Sequence, residues 1–164
     1  MGKGHFLSII GVVTILLLPL AMAQSVVNMG GVVILDDLDL GIEGGDVSPD
    51  GEFVLAHGAD SAIFLIASGV PFNNSRVEFS GSETLLDASF HPSGKTALLV
   101  GEEGLLLRFI SSNSTVEKSG GGSAFGGTDL NAVSWNGDGS WAYIGGEEGW
   151  IWRYRGLDEG GFEA

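Results

Sequence analysis

Cysteine is absent from the 164 residues of the chain, and this absence excludes several chemistries at once. Disulfides, thiol catalysis, zinc–thiolate centres and iron–sulfur clusters all need cysteine. A bacterial lipoprotein anchor needs one as well, at its cleavage point. A domain of this composition must therefore be stabilised by packing and by sheet hydrogen bonds.

Basic residues are scarce, since seven Lys and Arg face 21 Asp and Glu for a net charge of −14. This charge repels polyanions and anionic lipid headgroups, so we expect no nucleic-acid partner and no binding to a membrane surface. Three explanations of the acidity remain open: solubility, adaptation to salty surroundings, or attraction of cations and basic partners.

Proline is also scarce, with four residues, whereas glycine is abundant, with 28. Glycine inside a helix costs roughly 1 kcal/mol per position relative to alanine, so the composition disfavours long helices. Short strands joined by tight turns suit it better. We therefore expect an all-β chain.

The N-terminus has the three-part pattern of a secretory signal peptide over residues 1–23. Lys3 precedes the apolar run Phe6–Leu18, and a small-residue tripeptide ends at Ala23. We expect a signal-peptide helix cleaved between Ala23 and Gln24; the alternative is an uncleaved anchor, which would be the chain's only link to a membrane. Either interpretation predicts a secreted, cell-surface or otherwise extracytoplasmic protein.

A repeat follows the leader. Three gapless copies are centred on anchor glycines, Gly51, Gly94 and Gly139, which lie 43 and 45 residues apart. The seventh residue after each anchor is again glycine. The fourth residue before each anchor is apolar. A period of about 40–50 residues is typical of solenoids and propellers.

Turn chemistry divides each copy into short antiparallel strands. The first turn of the three copies reads Pro-Asp-Gly, Pro-Ser-Gly and Gly-Asp-Gly in order. The glycine seven residues after the anchor precedes a second turn. The predicted second strands are Glu52–Ala56, Lys95–Val100 and Ser140–Ile144, and the predicted third strands are Ala62–Ile66, Leu105–Ile110 and Trp150–Tyr154. An alternation of apolar and polar residues predicts outer strands at Arg76–Ser80 and Thr115–Ser119, which makes four strands per copy.

These elements divide the chain into successive segments. Residues 24–45 form an N-terminal strand segment that could belong to another blade. The repeats span 46–85, 86–129 and 130–155, and an acidic Gly-rich tail covers 156–164.

The motifs Val47-Ser-Pro-Asp-Gly51 and Phe90-His-Pro-Ser-Gly94 resemble the turn of WD-repeat propellers. The stretches Gly101-Glu-Glu-Gly-Leu-Leu-Leu-Arg108 and Gly146-Glu-Glu-Gly-Trp-Ile-Trp-Arg153 resemble photosystem-assembly-factor and BNR-like propellers. The resemblance implies an all-β fold of β-propeller blades. Because closed propellers use typically four to eight blades, three imply a partial or open ring. We expect the missing blades to come from a longer chain or another subunit.

Acidic residues recur at the second turn. Glu102 and Glu103 in one copy match Glu147 and Glu148 in the next, with Asp60 in the first copy. Exposed turns explain them without a function; the functional interpretation is a binding rim for a basic partner. His57 precedes the second-turn glycine of the first copy and is grouped with this rim, although a structural histidine is the simpler interpretation.

Metal and modification sites are weakly indicated. The calcium candidate lies in a carboxylate-rich stretch that lacks the ligand spacing of an EF-hand: Asp36, Asp37 and Asp39, followed by Glu43 and Asp46. We expect no other cofactor or metal. Asn73 and Asn113 begin sequons for N-glycosylation.

No catalytic constellation is visible in the sequence. We therefore expect a non-enzymatic scaffold that binds a protein or peptide at a propeller rim. The alternative is a fragment of a propeller enzyme, a hydrolase or lyase, whose catalytic blades are missing. A cation-stabilised structural module is a third hypothesis.

Overall fold

The computed structural model describes residues 41–67, 73–120, 123–155 and 162–163, all within the compact unit Val32–Ala164. These residues form three four-stranded sheets, and they contain no α-helix. The all-β prediction is confirmed. The predicted signal peptide, its cleavage residues Ala23 and Gln24, and the carboxylates Asp36, Asp37 and Asp39 lie outside the described residues.

Each sheet is an antiparallel meander in which neighbouring strands in the sequence are hydrogen-bonded. Sheet 1 contains β1 (Ile42–Val47), β2 (Phe53–Gly58), β3 (Ile63–Ala67) and β4 (Asn73–Arg76). Sheet 2 contains β5 (Leu85–Phe90), β6 (Thr96–Gly101), β7 (Leu106–Ile110) and β8 (Thr115–Gly120). Sheet 3 contains β9 (Leu130–Trp135), β10 (Trp141–Gly146), β11 (Ile151–Arg155) and β12 (Phe162–Glu163).

Most strand bounds lie within one or two residues of the prediction, but the outer strand predicted at Arg76–Ser80 is wrong. The strand ends at Arg76, and the following residues form the connection to β5. Val77 is 3% exposed and donates its N–H to the Ile63 carbonyl at 2.9 Å, and Phe79 packs on the same core. The alternation of apolar and polar residues therefore reflects a connection that runs along the core.

Two further boundaries differ from the predicted segments. The first strand of sheet 1 begins at Ile42, inside the segment 24–45, and pairs with β2. The short strand β12 lies in the predicted tail and pairs with β11. Sheet 3 therefore has a fourth strand, like the other two sheets.

The second turn of each sheet is a short 3-10 turn, at Ala59–Ser61, Glu102–Gly104 and Glu147–Gly149. Its middle residue has a left-handed backbone, with φ of 51°, 54° and 56° at Asp60, Glu103 and Glu148. Such turns reverse the chain within three residues. In an antiparallel sheet the first and second turns lie at opposite ends, so the two kinds of turn define two ends of each sheet.

Two apolar cores lie between successive sheets. Leu55, Ile63, Leu99 and Phe109 belong to the core between sheets 1 and 2. The core between sheets 2 and 3 contains Leu98, Leu106, Val133, Ala142, Ile144, Trp152 and Tyr154, among others. Adjacent residues of β6 point into different cores, because side chains alternate between the faces of a strand. Sheet 2 is thus buried on both faces.

Carboxylates connect the first strands of successive sheets, which lie against each other. The Asp46 carboxylate accepts the Phe90 N–H at 2.7 Å, and the Asp87 carboxylate accepts the Val133 N–H at 2.8 Å. Each carboxylate also accepts the N–H of its following residue at 2.9 Å. Charge-assisted bonds of this kind are stronger than neutral ones. They help to fix how each sheet is placed on the next.

Candidate functional site

The 3-10 turns place carboxylates at one end of the three sheets. We call the residues Asp60, Glu102, Glu103, Glu147 and Glu148 the acidic rim. Asp60, Glu103, Glu147 and Glu148 are exposed, and Glu102 is half-buried. The left-handed residue of each turn is among the exposed ones. The sequence-predicted acidic residues are therefore brought to the same end of their sheets.

Part of the charge near this rim has a structural role. The Glu102 carboxylate accepts the Thr84 N–H at 2.8 Å, and the Asp129 carboxylate accepts the Glu103 N–H at 2.9 Å. Hydrogen bonds from its own backbone and from the Ser82 N–H lower the pKa of Glu83. The exposed Glu147 and Glu148 have no side-chain hydrogen bond among the described residues. These two remain the most available for a partner.

His57 lies inside the protein and not on the rim with which its sequence position grouped it. It is 1% exposed, and its Nδ1 lies 2.9 Å from the Leu85 carbonyl oxygen, so Nδ1 carries a proton and donates. Its ring fills the space beside Gly44, where a Cβ would lie 3.1 Å from two ring atoms. His57 thus joins sheet 1 to sheet 2, while its predicted neighbour Asp60 stays on the surface.

His91 connects the first turns of sheets 2 and 3. The Ser93 N–H donates to His91 Nδ1 at 3.0 Å, so Nε2 carries the proton and donates to the Gly139 carbonyl at 3.0 Å. The His91 ring also meets the Trp135 ring edge-on, with centroids 4.7 Å apart. These contacts fix one neutral tautomer and give His91 a structural role at the turn.

A groove opens at the end of the sheets opposite the acidic rim. It has a volume of about 650 Å³. Its lining combines the first turns of sheets 1 and 2, the outer part of sheet 2 and two aromatic residues of sheet 3. The lining residues are Asp50, His91, Ser93, Gly94, Lys95, Thr96, Leu98, Arg108, Ile110, Ser111, Ser112, Trp135 and Tyr154. The groove could not be predicted from the sequence, because its residues come together from all three copies.

The tryptophans of the third copy have different environments. Trp152 is 5% exposed and packs in the core, whereas Trp150 is 56% exposed and stacks on it with centroids 6.0 Å apart. The Arg153 guanidinium lies over the Trp141 ring, and its Cζ is 3.9 Å from the ring centroid. The four rings therefore do not form one ligand platform.

The remaining predicted sites are placed as follows. Asp46, at the end of the predicted calcium stretch, has its carboxylate occupied by backbone N–H groups. No group of three or more potential metal ligands occurs within residues 41–67, 73–120 and 123–155. Asn113 lies in the exposed turn before β8, where its side-chain oxygen accepts the Thr115 hydroxyl at 2.8 Å, and Asn73 begins β4.

No protein-family model and no curated protein sequence matches the chain. In the part of the chain that the structure describes, no helix is long and apolar enough to cross a membrane.

Proposed function

We propose that the three sheets are consecutive blades of a β-propeller, and that the chain is an exported, non-enzymatic scaffold for protein recognition. The meander of four antiparallel strands supports the blade assignment, since propeller blades have this topology. The packing of first strand on first strand, with the Asp46 and Asp87 bonds between them, supports the same arrangement.

One observation carries the proposal: positions buried between blades in the first two sheets are exposed in the third. The fourth residue after the anchor glycine is Leu55, Leu98 and Tyr143 in turn, and the exposed fractions are 0%, 1% and 47%. Tyr143 is therefore an exposed aromatic residue at a repeat position whose equivalents in sheets 1 and 2 pack on the next blade.

The twelfth residue after the anchor repeats the pattern. Ile63, Leu106 and Ile151 are 0%, 1% and 69% exposed. Exposed apolar surface at an interface position marks a docking site. The occupant that fits is a further blade of the same repeat, because the same positions of sheets 1 and 2 already bind such blades. That blade comes from a longer chain or from another subunit.

The acidic rim supplies the recognition surface in this proposal. Carboxylates on successive turns produce a negative potential that attracts a basic protein surface and speeds its encounter. The N-terminal signal would deliver the scaffold outside the cytoplasm.

The free face of sheet 3 is tested by the variant Ile151→Asp. We expect the full chain to associate as its concentration rises in analytical ultracentrifugation, and the variant to remain monomeric. Asn113→Asp is the matched control, since it adds one negative charge at an exposed turn of sheet 2. A chain that stays monomeric at all concentrations and ignores Ile151→Asp would contradict a docking role for this face.

The rim is tested by binding of an oligolysine peptide. We expect the double variant Glu103→Lys and Glu148→Lys to weaken binding more than Glu52→Lys and Glu78→Lys, which make the same charge change outside the rim. Equal losses in the two double variants would mean that net charge alone attracts the peptide.

A further inference from the structure

The groove at the end opposite the acidic rim concentrates positive charge in an acidic protein. The described residues contain six Lys and Arg, and two of them, Lys95 and Arg108, line the groove. Arg108 pairs with Glu117 at 3.0 Å. Lys95 is exposed and has no ion pair among the described residues. In a chain of net charge −14, a site with two cations and one carboxylate, Asp50, is unusual.

Two residues of the groove lining also carry buried hydrogen-bond donors that have no acceptor among the described residues. Within the described residues, Arg108 Nε and Trp135 Nε1 are the buried side-chain nitrogens that have no partner. Both residues line the groove. An unsatisfied buried donor costs about 1–3 kcal/mol, so folded proteins contain few of them, and each needs an explanation. A ligand that carries acceptor oxygens would explain both orphan donors.

The apolar part of the lining defines the rest of the ligand. Leu98 and Ile110 contribute aliphatic surface and Trp135 an aromatic ring, while Ser93, Ser111 and Ser112 contribute hydroxyls. The volume of about 650 Å³ falls within the range of roughly 300–1,000 Å³ that small-molecule sites occupy. The site therefore combines cations and orphan donors with an apolar wall.

We propose that this groove binds a carboxylate group carried by an apolar body. The carboxylate would lie between Lys95 and Arg108, where it accepts charge-assisted hydrogen bonds, and the apolar body would lie against Leu98 and Ile110. Since both orphan nitrogens are buried, binding involves a small shift of the Arg108 side chain, whose aliphatic stem is flexible. Such a ligand is either a free organic acid or the C-terminal residue of a peptide.

This site is separate from the surfaces of the proposed function. The groove uses residues of the first turns and of β7, whereas the scaffold proposal rests on the free face of sheet 3 and on the 3-10 turns. Failure of one proposal leaves the other intact, because Lys95 and Arg108 belong to neither the acidic rim nor the free face.

The test is titration of the full chain with hexanoate and with acetyl-Leu-Leu bearing a free C-terminus, followed by calorimetry. We expect saturable binding of at least one of them and none of hexanamide or of the amidated peptide. The first two probes distinguish the sources of the carboxylate. Sodium phosphate serves as the simple-anion control, and equal affinity for phosphate and hexanoate would overturn the apolar part of the proposal.

Charge variants identify the site. Lys95→Gln should weaken binding about tenfold, and Arg108→Gln by at least as much, whereas Lys118→Gln makes the same charge change outside the groove lining and should have little effect. Lys95 is exposed, so its replacement tests the site even where Arg108→Gln disturbs folding. No saturable binding of either carboxylate, or equal weakening by Lys118→Gln, would overturn the proposal.

Discussion

Gly101 lies so close to the carbonyl oxygen of Thr84 that a Cβ at this position would overlap it. The Glu102 N–H donates to the same carbonyl at 3.0 Å, so the two backbone segments cannot separate without losing that bond. Gly58 makes the same approach to the Gly41 carbonyl. At Gly146 a Cβ would overlap the Trp152 ring and would lie 3.0 Å from the Asp129 carbonyl oxygen. The seventh-position glycine of each repeat therefore lets the second strand approach the start of the first strand.

Gly101→Ala should destabilise the protein by about 2 kcal/mol or more, because the added methyl group has no space beside backbone atoms. Gly137→Ala is the matched control. A Cβ at Gly137 meets no atom within 4 Å, and its effect should stay within about 1 kcal/mol. Urea unfolding of both variants measures the difference. Similar stabilities of the two variants would show that the close approach does not constrain the fold.

Asp46 offers a second test of how the sheets are joined. Asp46→Ala removes the acceptor of the Phe90 N–H, so we expect a loss of about 1.5–3 kcal/mol in the free energy of unfolding. Glu78→Ala replaces an exposed carboxylate on the connection to β5 and should change stability by about 0.5 kcal/mol or less. Denaturation curves that coincide for the two variants would mean that the bond between the first strands is dispensable.

The strand content of each repeat could be predicted from sequence because turn glycines and strand alternation are local signals. Gly51, Gly94 and Gly139 all have positive φ, as a Pro-Asp-Gly type of turn requires. The outer strand of the first repeat could not be placed, since Val77 and Phe79 alternate with polar residues whether they form a strand or a connection packed on the core.

Long-range relationships were not accessible in the same way. The Val133 N–H donates to the Asp87 carboxylate across 46 positions of sequence. Asp87 is also two positions out of register with Asp46 in the repeat alignment, although both carboxylates bond the next sheet. The groove needs Lys95, Arg108 and Trp135 to meet across two sheets. Local patterns carry no information on such meetings. The acidic rim could be anticipated, because it follows directly from equivalent turns.

Acidic pH should weaken the first turn of sheet 3. The Ser140 hydroxyl and N–H donate to the Asp138 carboxylate at 2.6 and 2.9 Å and hold the pKa of Asp138 below its ordinary value of 3.8. A lowered pKa in the folded state stabilises the protein above the ordinary pKa, and this contribution is lost as the pH falls through the folded value. Asp138→Ala should therefore be less stable than the parent chain at pH 7, and the difference should shrink as the pH falls below 3.8.

The measurement is denaturant unfolding at several pH values. Glu52→Ala serves as the control, since the Glu52 side chain is exposed and has no hydrogen bond among the described residues. Its difference from the parent chain should not depend on pH in the same way. A stability difference for Asp138→Ala that does not shrink at all as the pH falls below 3.8 would show that the ionised form is not what stabilises the turn.

Alkaline pH should act through Tyr154, which is 3% exposed beside the groove and between sheets 2 and 3. Burial raises the pKa of the Tyr154 phenol above its ordinary value of 10.0, although its bond to the Ser119 hydroxyl at 3.1 Å opposes the shift. Because the raised pKa belongs to the folded state, the stabilisation from neutral Tyr154 is complete below pH 10 and is lost as the pH rises through the folded value.

Tyr154→Phe should consequently reduce the loss of stability above pH 10, although it removes the hydroxyl's hydrogen bond at neutral pH. Tyr143→Phe is the matched control, because Tyr143 is the other tyrosine of the chain and is 47% exposed. Tyr143 lies at the surface and outside the two cores, so Tyr143→Phe should leave the alkaline loss as it is in the parent chain. Spectrophotometric titration together with urea unfolding separates the two residues, and equal effects of both variants would mean that Tyr154 ionises without unfolding the core between sheets 2 and 3.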